Sequence, residues 1–208
     1  MAGIHAAVLL EIRREDGPSL TAYAAIPIAY DVREALQLPI VGTAPFARRI
    51  VRPPYRKDYD VIPGNHPCDW PARFAVDRAE FVAAYADGER VGGAVAVVEP
   101  SDVERLGGDP RLALLWDLRV APHARRRGVG RALLARIEER LQDTGIAGIA
   151  VETQDINLAA CQLYCAAGFV ITSVEANTYH DLPEETRIVW TKIFRLASAR
   201  HPANDRCG

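Results

Sequence analysis

Apolar and polar positions repeat along this chain with two periods, and the changes of period mark its elements. Near the start, "AAVLLEIRRE" reads as a strand ended by Asp16–Gly17. "SLTAYAAI" predicts a short helix opening at Ser19 and closed by Pro27. "IAYDVREALQL" is ambiguous: Ile28, Tyr30 and Val32 alternate as in a strand, whereas its later half suits a helix. From Pro39 to Pro71 the pattern reads as irregular, with Pro53, Pro54, Pro63, Pro67 and Pro71 set among Tyr55, Tyr59 and Trp70. A loop of that length inside a compact domain is either functional or disordered, and the aromatics favour function.

The second half is more regular. "AEFVAAYADGERVGGAVAVVEP" predicts a hairpin turning at Asp87–Glu89. "LALLWDLRVAP" is a buried strand ended by Pro122. Val129, Leu133, Ile137 and Leu141 then step down one face of a helix that closes near Gly145. "GIAVET" is a further strand, and "NLAACQLYCAAG" a helix capped by Asn157 and stopped by Gly168. "FVITSVEA" and "TRIVWTKIF" close the pattern as an antiparallel pair across "HDLPEE". The whole predicts a mixed α/β fold. Residues 1–50 form an arm of the same domain, 51–196 its core and 197–208 a loose tail.

Composition narrows the function classes. A chain of 208 residues with 49% apolar and 25% charged residues is ordinary for a globular domain. A net charge of −2 and a pI near 6.2 argue against a dedicated nucleic-acid binder. No apolar run reaches membrane-span length, and the amino-terminal stretch lacks the basic segment of a signal peptide, so a soluble cytoplasmic protein is expected. Cys68, Cys161, Cys165 and Cys207 are spaced too irregularly for a disulfide framework. Cys161 and Cys165, at i and i+4, read as small core thiols. His66-x-Cys68 is too sparse for zinc, and no metal site is expected. His180 beside Asp181 reads as a loop residue.

The densest chemistry lies in "DLRVAPHARRRGVGRALLARIEERL", where three arginines run into Gly128-x-Gly130 at a helix start. A triphosphate loop needs a lysine that is missing, and the dinucleotide fingerprint needs a third glycine. What remains is a helix N-terminus with free amides, a favourable dipole and cationic side chains, which suits a pyrophosphate. A solvated cationic helix start fits the spacing equally well.

"RVAPHARRRGVGRALL" resembles the signature of the GNAT superfamily of N-acetyltransferases, Arg/Gln-x-x-Gly-x-Gly/Ala. Asn157-x-x-Ala160-x-x-x-Tyr164-x-x-x-Gly168-Phe169 resembles the same family's later motif, and "ETQDINLAACQLYCAAGFV" resembles the streptothricin acetyltransferase subgroup. The likeness runs from Phe81 to Phe194, and residues 1–50 match only vaguely. It implies a splayed, mostly antiparallel sheet flanked by helices, with acetyl-CoA as cosubstrate. The main chain at Leu118 and Val120 would pair with the pantetheine arm. Arg125, Arg126, Gly128, Gly130 and Arg131 would hold the pyrophosphate, Asn157 the pantetheine, and Tyr164 would sit at the sulfur as general acid.

The attacking amine must lose a proton, and the candidate bases are Asp117, Glu152 or a water relay. Asp117 also has a competing role as a partner for Arg119. Alternation puts Trp116 rather than Asp117 on the face of Leu118 unless a bulge intervenes. Tyr55, Asp60, Trp70, Glu175 and Tyr179 are the candidates for an acceptor pocket suited to a cationic amine, with Asp58 as a further carboxylate in the proline-rich loop. The expected acceptor is the primary amine of a small molecule, of streptothricin type, with the protein a monomer or homodimer. The alternatives are a protein N-terminal or lysine acetyltransferase, which favours an open groove, and a non-catalytic acetyl-CoA-binding regulator.

Overall fold

A computed structural model describes residues 9–17, 19–38, 47–98, 106, 109–179, 182 and 184–194. The expected His180, Asp181 and tail from 197 lie outside the described residues. The chain runs β1 (Leu10–Arg14), α1 (Leu20–Ala24), β2 (Tyr30–Leu36), β3 (Arg48–Lys57), β4 (Glu80–Ala86), β5 (Glu89–Val97) and β6 (Leu112–Val120). Then follow α2 (Val129–Asp143), β7 (Gly148–Gln154), α3 (Leu158–Ala166), β8 (Val170–Glu175) and β9 (Arg187–Ile193). A seven-stranded sheet takes the order β1-β4-β5-β6-β7-β9-β8. Only β6 and β7 run parallel in it, so the expected mixed, largely antiparallel fold is what the chain adopts.

Local chemistry explains most of these elements. Ser19 caps α1 by accepting from the Ala22 amide at 3.2 Å. Asp87 and Gly88, at φ 50° and 84°, make the tight turn between β4 and β5. On α2, Leu133, Leu134, Ile137 and Leu141 are at most 1% exposed, and they pack on the sheet residues Val82, Ala94, Ala113, Leu115 and Val151. Burying each large aliphatic side chain stabilises the fold by about 1.5–3 kcal/mol. The opposite face carries a second core of Tyr23, Trp70, Phe74, Phe81, Val95 and Val97.

Two expectations need correction here. The ambiguous "IAYDVREALQL" contains strand β2, and the supposedly irregular stretch contains β3, which pairs with it as a separate ribbon. Val32 opposes Tyr55 and Glu34 opposes Ile50, so the span 51–54 bulges out of register. Pro53 and Pro54 fall there, where their missing N–H groups break no ladder bond. The pair Cys161 and Cys165 also divides: Cys161 is buried and Cys165 exposed.

Candidate active site

β6 and β7 are paired only over Leu112–Leu114 and Gly148–Ala150. Beyond those residues β6 stays with β5 as far as Val120, and β7 stays with β9 as far as Gln154, so the two part. The wedge between them belongs to a cleft of about 1130 Å³. Ala121 donates its amide to the Val91 carbonyl at 2.8 Å, and Arg119 and Asp117 continue that register opposite Gly93 and Val95. By antiparallel alternation these residues turn their main-chain groups toward β5, whereas Leu118 and Val120 present theirs to the wedge.

At the end of β6 the chain makes a turn that leaves donors free. Arg126 and Gly128 take φ of 64° and 85°, and Gly128 caps α2 without a side-chain bond. Among the described residues, the amides of Arg126 to Arg131 make no backbone hydrogen bond. No acidic side chain sits in the first turn of the 15-residue α2. A Cβ on Gly130 would stand 3.5 Å from Leu163, 3.7 Å from Leu118 and 3.8 Å from Val120, on the wedge side of the helix. Arg125 differs from its neighbours. It donates to the carbonyls of Val120 (2.9 Å), Pro27 (3.1 Å) and Ala29 (3.3 Å), tying the α1–β2 linker to the end of β6. Burial, and then Arg56, draw its pKa below the ordinary guanidinium value.

The far wall is α3. Asn157 caps it, accepting from the Ala160 amide at 3.2 Å. Tyr164 is 6% exposed, lines the cleft, and packs its ring 5.5 Å from Phe169 and 6.3 Å from Trp190. Burial holds its pKa well above the usual tyrosine value, so the hydroxyl keeps its proton at neutral pH. Cys161 donates to the Gln154 carbonyl at 3.8 Å, and burial pushes its thiol up to about 12.

On the other side the carboxylates are already occupied. Leu115 opposes Ala96 and Asp117 opposes Val95, so Trp116 is an extra residue and a bulge does shift the parity. Asp117 accepts from the Tyr23 hydroxyl at 2.8 Å and from Arg119 at 3.0 and 2.7 Å. Arg119 has a fully buried side chain and uses its remaining N–H groups on Asp60, twice at 3.0 Å, and on the Ile26 carbonyl at 3.2 Å. Burial opposes its charge, but Asp117 and then Asp60 outweigh burial and raise its pKa. Glu152 accepts from Tyr179 at 2.7 Å and from Arg187 at 2.8 Å, and Arg187 also holds Glu175 at 2.8 Å. Among the described residues, each cluster therefore sets two carboxylates against one guanidinium, a net charge of one negative.

The residues expected around the acceptor do not all meet there. Trp70 is 0% exposed, edge-on to Tyr23 at 5.3 Å, with its indole N–H on the Asn65 carbonyl. It is a core residue, packed among Tyr23, Phe74 and Phe81. Asp60 is bound to Arg119, and Glu175 lies on the surface beside Ser173 and Arg187. Tyr55 donates to Glu185, which forms a buried ion pair with Lys57 at 2.7 Å. Tyr179 reaches the cleft wall through Glu152 and Gln154.

Two cleft residues, Tyr30 and Gln154, escaped the sequence, and Tyr59 reads there only as an aromatic of the proline-rich loop. Tyr59 donates to Gln154 and contacts the Tyr30 hydroxyl at 3.1 Å, while Gln154 donates to Tyr179 at 2.8 Å. A chain of hydrogen bonds thus runs Tyr30–Tyr59–Gln154–Tyr179–Glu152 and joins the ribbon to β7. The aromatic run Tyr55–Tyr59 was the one signal for it. Among the described residues no group of three or more His, Cys, Asp or Glu gathers as a metal would require, and no helix is long and apolar enough to cross a membrane.

This geometry has relatives. The sequence profile described as the acetyltransferase (GNAT) family matches residues 44–169, more than half of the chain. The chain belongs to the GNAT family. This GNAT protein is 39% identical over 84 residues to streptothricin acetyltransferase A of Bacillus subtilis (strain 168), covering 39% of this chain and 49% of that one. It is 36% identical over 67 residues to the [ribosomal protein bS18]-alanine N-acetyltransferase of Escherichia coli (strain K12), covering 32% and 45%. The chain thus spans about half the length of the curated relatives it matches. A crystal structure of a putative streptothricin acetyltransferase from Bacillus anthracis str. Ames, in complex with acetyl coenzyme A, superposes with a TM-score of 0.69 at 24% identity. That match covers 89% of this chain and 100% of the other, and it shows a common fold.

Proposed function

We propose that this GNAT protein transfers an acetyl group from acetyl-CoA to the primary amine of a small molecule. One observation carries the reading: the Leu118 main chain and the Val120 amide, unpaired by β7, run directly into the amides of Arg126 to Arg131, which make no backbone hydrogen bond. The first suits an extended amide-bearing arm added as a strand, and the second suits a pyrophosphate at a helix start. Gly130 keeps the wedge side of the first turn open, and Arg126 and Arg131 add charge, so the residues fit the cosubstrate. Arg125 contributes by fixing the turn through its three carbonyl bonds.

Acetyl-CoA supplies an acyl thioester whose carbonyl carbon takes the amine's lone pair and whose sulfur departs as thiolate. The Val120 amide, facing the wedge, is a fixed donor for the charge that grows on the carbonyl oxygen. Tyr164, kept protonated by burial, donates to the departing sulfur. Glu152 is favoured over Asp117 as proton acceptor, directly or through water, because its side chain is 33% exposed in the cleft wall against 8% for Asp117. Asn157 and the Leu118 main chain position the pantetheine arm.

A small acceptor is favoured over a protein chain because the ribbon walls the acceptor side. Tyr30, Asp31 and Glu34 of β2 line the cleft, and the Lys57–Glu185 pair and the Leu36 amide on the Asp155 carbonyl fasten the ribbon down. The streptothricin and ribosomal-alanine enzymes among its relatives mark the two acceptor classes to compare. The test is acetyl-CoA turnover against a panel of small amines and amino-terminal peptides, read as free thiol. Release with small amines alone supports the proposal. Release only with peptides overturns the acceptor assignment, and acetyl-CoA binding without release favours a regulator.

A further inference from the structure

Outside the phosphate-binding turn, the arginines of the cleft wall are distinguished by what they hold. Arg119 holds Asp117 and Asp60, and Arg125 holds three carbonyls. Arg33 lies 3.8 Å from Asp31. Arg73 is the exception. Its guanidinium carbon stands 5.5 Å from the centroid of the Trp116 ring, and its Nη1 lies 2.7 Å from where a Cβ on Gly64 would be. Gly64, at φ +79°, thus leaves a slot that seats the guanidinium against the indole. Among the described residues Arg73 has no carboxylate partner, though it lines the cleft.

Its neighbourhood is built to hold it there. The Asn65 carbonyl is taken by the Trp70 indole at 2.8 Å, which anchors the backbone next to Gly64. Asn65 itself lines the cleft, and its side-chain amide makes no hydrogen bond among the described residues. A guanidinium on an aromatic face is oriented and partly desolvated, and its fork matches a carboxylate or phosphonate through two parallel bonds. Trp116 is the bulge residue of β6, next to Asp117 and just before the wedge-facing main chain of Leu118. The site therefore lies on the acceptor side, apart from the arginines of the turn.

We propose that Arg73, assisted by Asn65, binds an acidic group carried by the acceptor, so that the substrate class is amines bearing a carboxylate or a similar anion. The ammonium of such a molecule suits the two clusters with net negative charge, and its acid suits Arg73. The inference rests on the acetyl-transfer reading for its chemistry but not for its binding measurement.

The probes are 4-aminobutanoate, 6-aminohexanoate and L-lysine, each against its own carboxamide, which removes the charge and little else. Two readouts run in parallel: calorimetric binding of each probe to the intact protein, and thiol release with acetyl-CoA. At least one acid is expected to bind, and to be turned over, tenfold or more better than its carboxamide. Arg73→Gln should erase that preference by raising KM for the acid, and Arg73→Lys should restore part of it. Equal binding of every acid and carboxamide, or a preference that survives Arg73→Gln, overturns the subsite. If an acid preference in binding disappears in Arg73→Gln while no amine releases thiol, the subsite stands and the acetyl-transfer reading falls. Thiol release without any acid preference has the opposite meaning.

Discussion

Replacing Arg119 by lysine keeps the charge and tests whether the geometry of the buried cluster matters. The guanidinium makes five hydrogen bonds: to Asp117 through Nε and Nη2, to Asp60 through Nη1 and Nη2, and to Ile26 through Nη1. An ammonium has three donors on one atom and cannot reach both carboxylates as a fork. At least two bonds to charged partners are lost, each worth about 1.5–3 kcal/mol. The Asp60 side chain is 17% exposed, so water recovers part of the loss on that side, whereas Asp117 at 8% has less access. A net destabilisation of about 2–4 kcal/mol is expected, a large share of the roughly 5–15 kcal/mol that holds a domain folded. Urea denaturation followed by circular dichroism gives the number, and a cycle with Asp60→Asn should show coupling above about 1 kcal/mol. Because Asp60 adjoins Tyr59, the same variant should also raise the amine KM more than it alters acetyl-CoA affinity. A stability within about 0.5 kcal/mol of wild type would refute the reasoning, since that is the size of an ordinary surface substitution.

Other expectations concern the cosubstrate, the general acid and the alkaline limit. Gly130→Val places its side chain on Leu118, Val120 and Leu163 and should weaken CoA binding more than tenfold, about 1.4 kcal/mol by calorimetry. Gly128→Asn, which tolerates the positive φ with open space around it, should weaken it far less. Tyr164→Phe keeps the ring contacts and should lower kcat by about 10²-fold with CoA affinity retained; equal turnover would return Tyr164 to a packing role. Burial raises the pKa values of Tyr23, Tyr30, Tyr59 and Tyr164, so the folded chain holds protons that the unfolded chain gives up near pH 10. Stability should therefore be flat in this respect below pH ~10 and fall above it, by up to about 1.4 kcal/mol per pH unit for each such tyrosine. A urea midpoint unchanged from pH 9 to pH 11 would contradict this.

What the sequence made legible follows from how far each interaction reaches along the chain. Val129, Leu133, Ile137 and Leu141 encode α2 within four turns, and Asp87–Gly88 encodes its hairpin within a single dipeptide, so both were readable. Leu118, Gly128, Gly130, Asn157 and Tyr164 sit in contiguous motifs, and the fold brings them to one wedge. β3 was hidden because Pro53 and Pro54 are hostile to a strand until β2 supplies a register that bulges at those residues. The acceptor side was hidden for a different reason. Its ties join residues far apart, 59 positions from Asp60 to Arg119, 106 from Arg49 to Asp155 and 128 from Lys57 to Glu185, and no local pattern records such pairings. Asp60 and Glu175 were credible substrate ligands as isolated carboxylates. Their arginines, Arg119 and Arg187, were visible too, but nothing in the sequence assigned them to each other.

For the proposed reaction the charge arrangement has a consequence that packing alone would not impose. Clusters with net negative charge on both strands of the wedge attract an ammonium and, by the same electrostatics, favour its protonated form. Binding and deprotonation of the acceptor therefore pull against each other. A buried carboxylate such as Asp117, which accepts two bonds from Arg119 and one from the Tyr23 hydroxyl, can supply the attraction without taking the proton. One with access to the cleft is needed to take it, and Glu152 has that access while Tyr179 and Arg187 hold it in place. Tyr164, neutral by burial, adds no charge to this balance, and under the proposed mechanism its proton would go to the sulfur. In the proposed reaction the separation of roles would rest on exposure: the buried cluster would attract, the more exposed carboxylate accept, and the buried phenol donate.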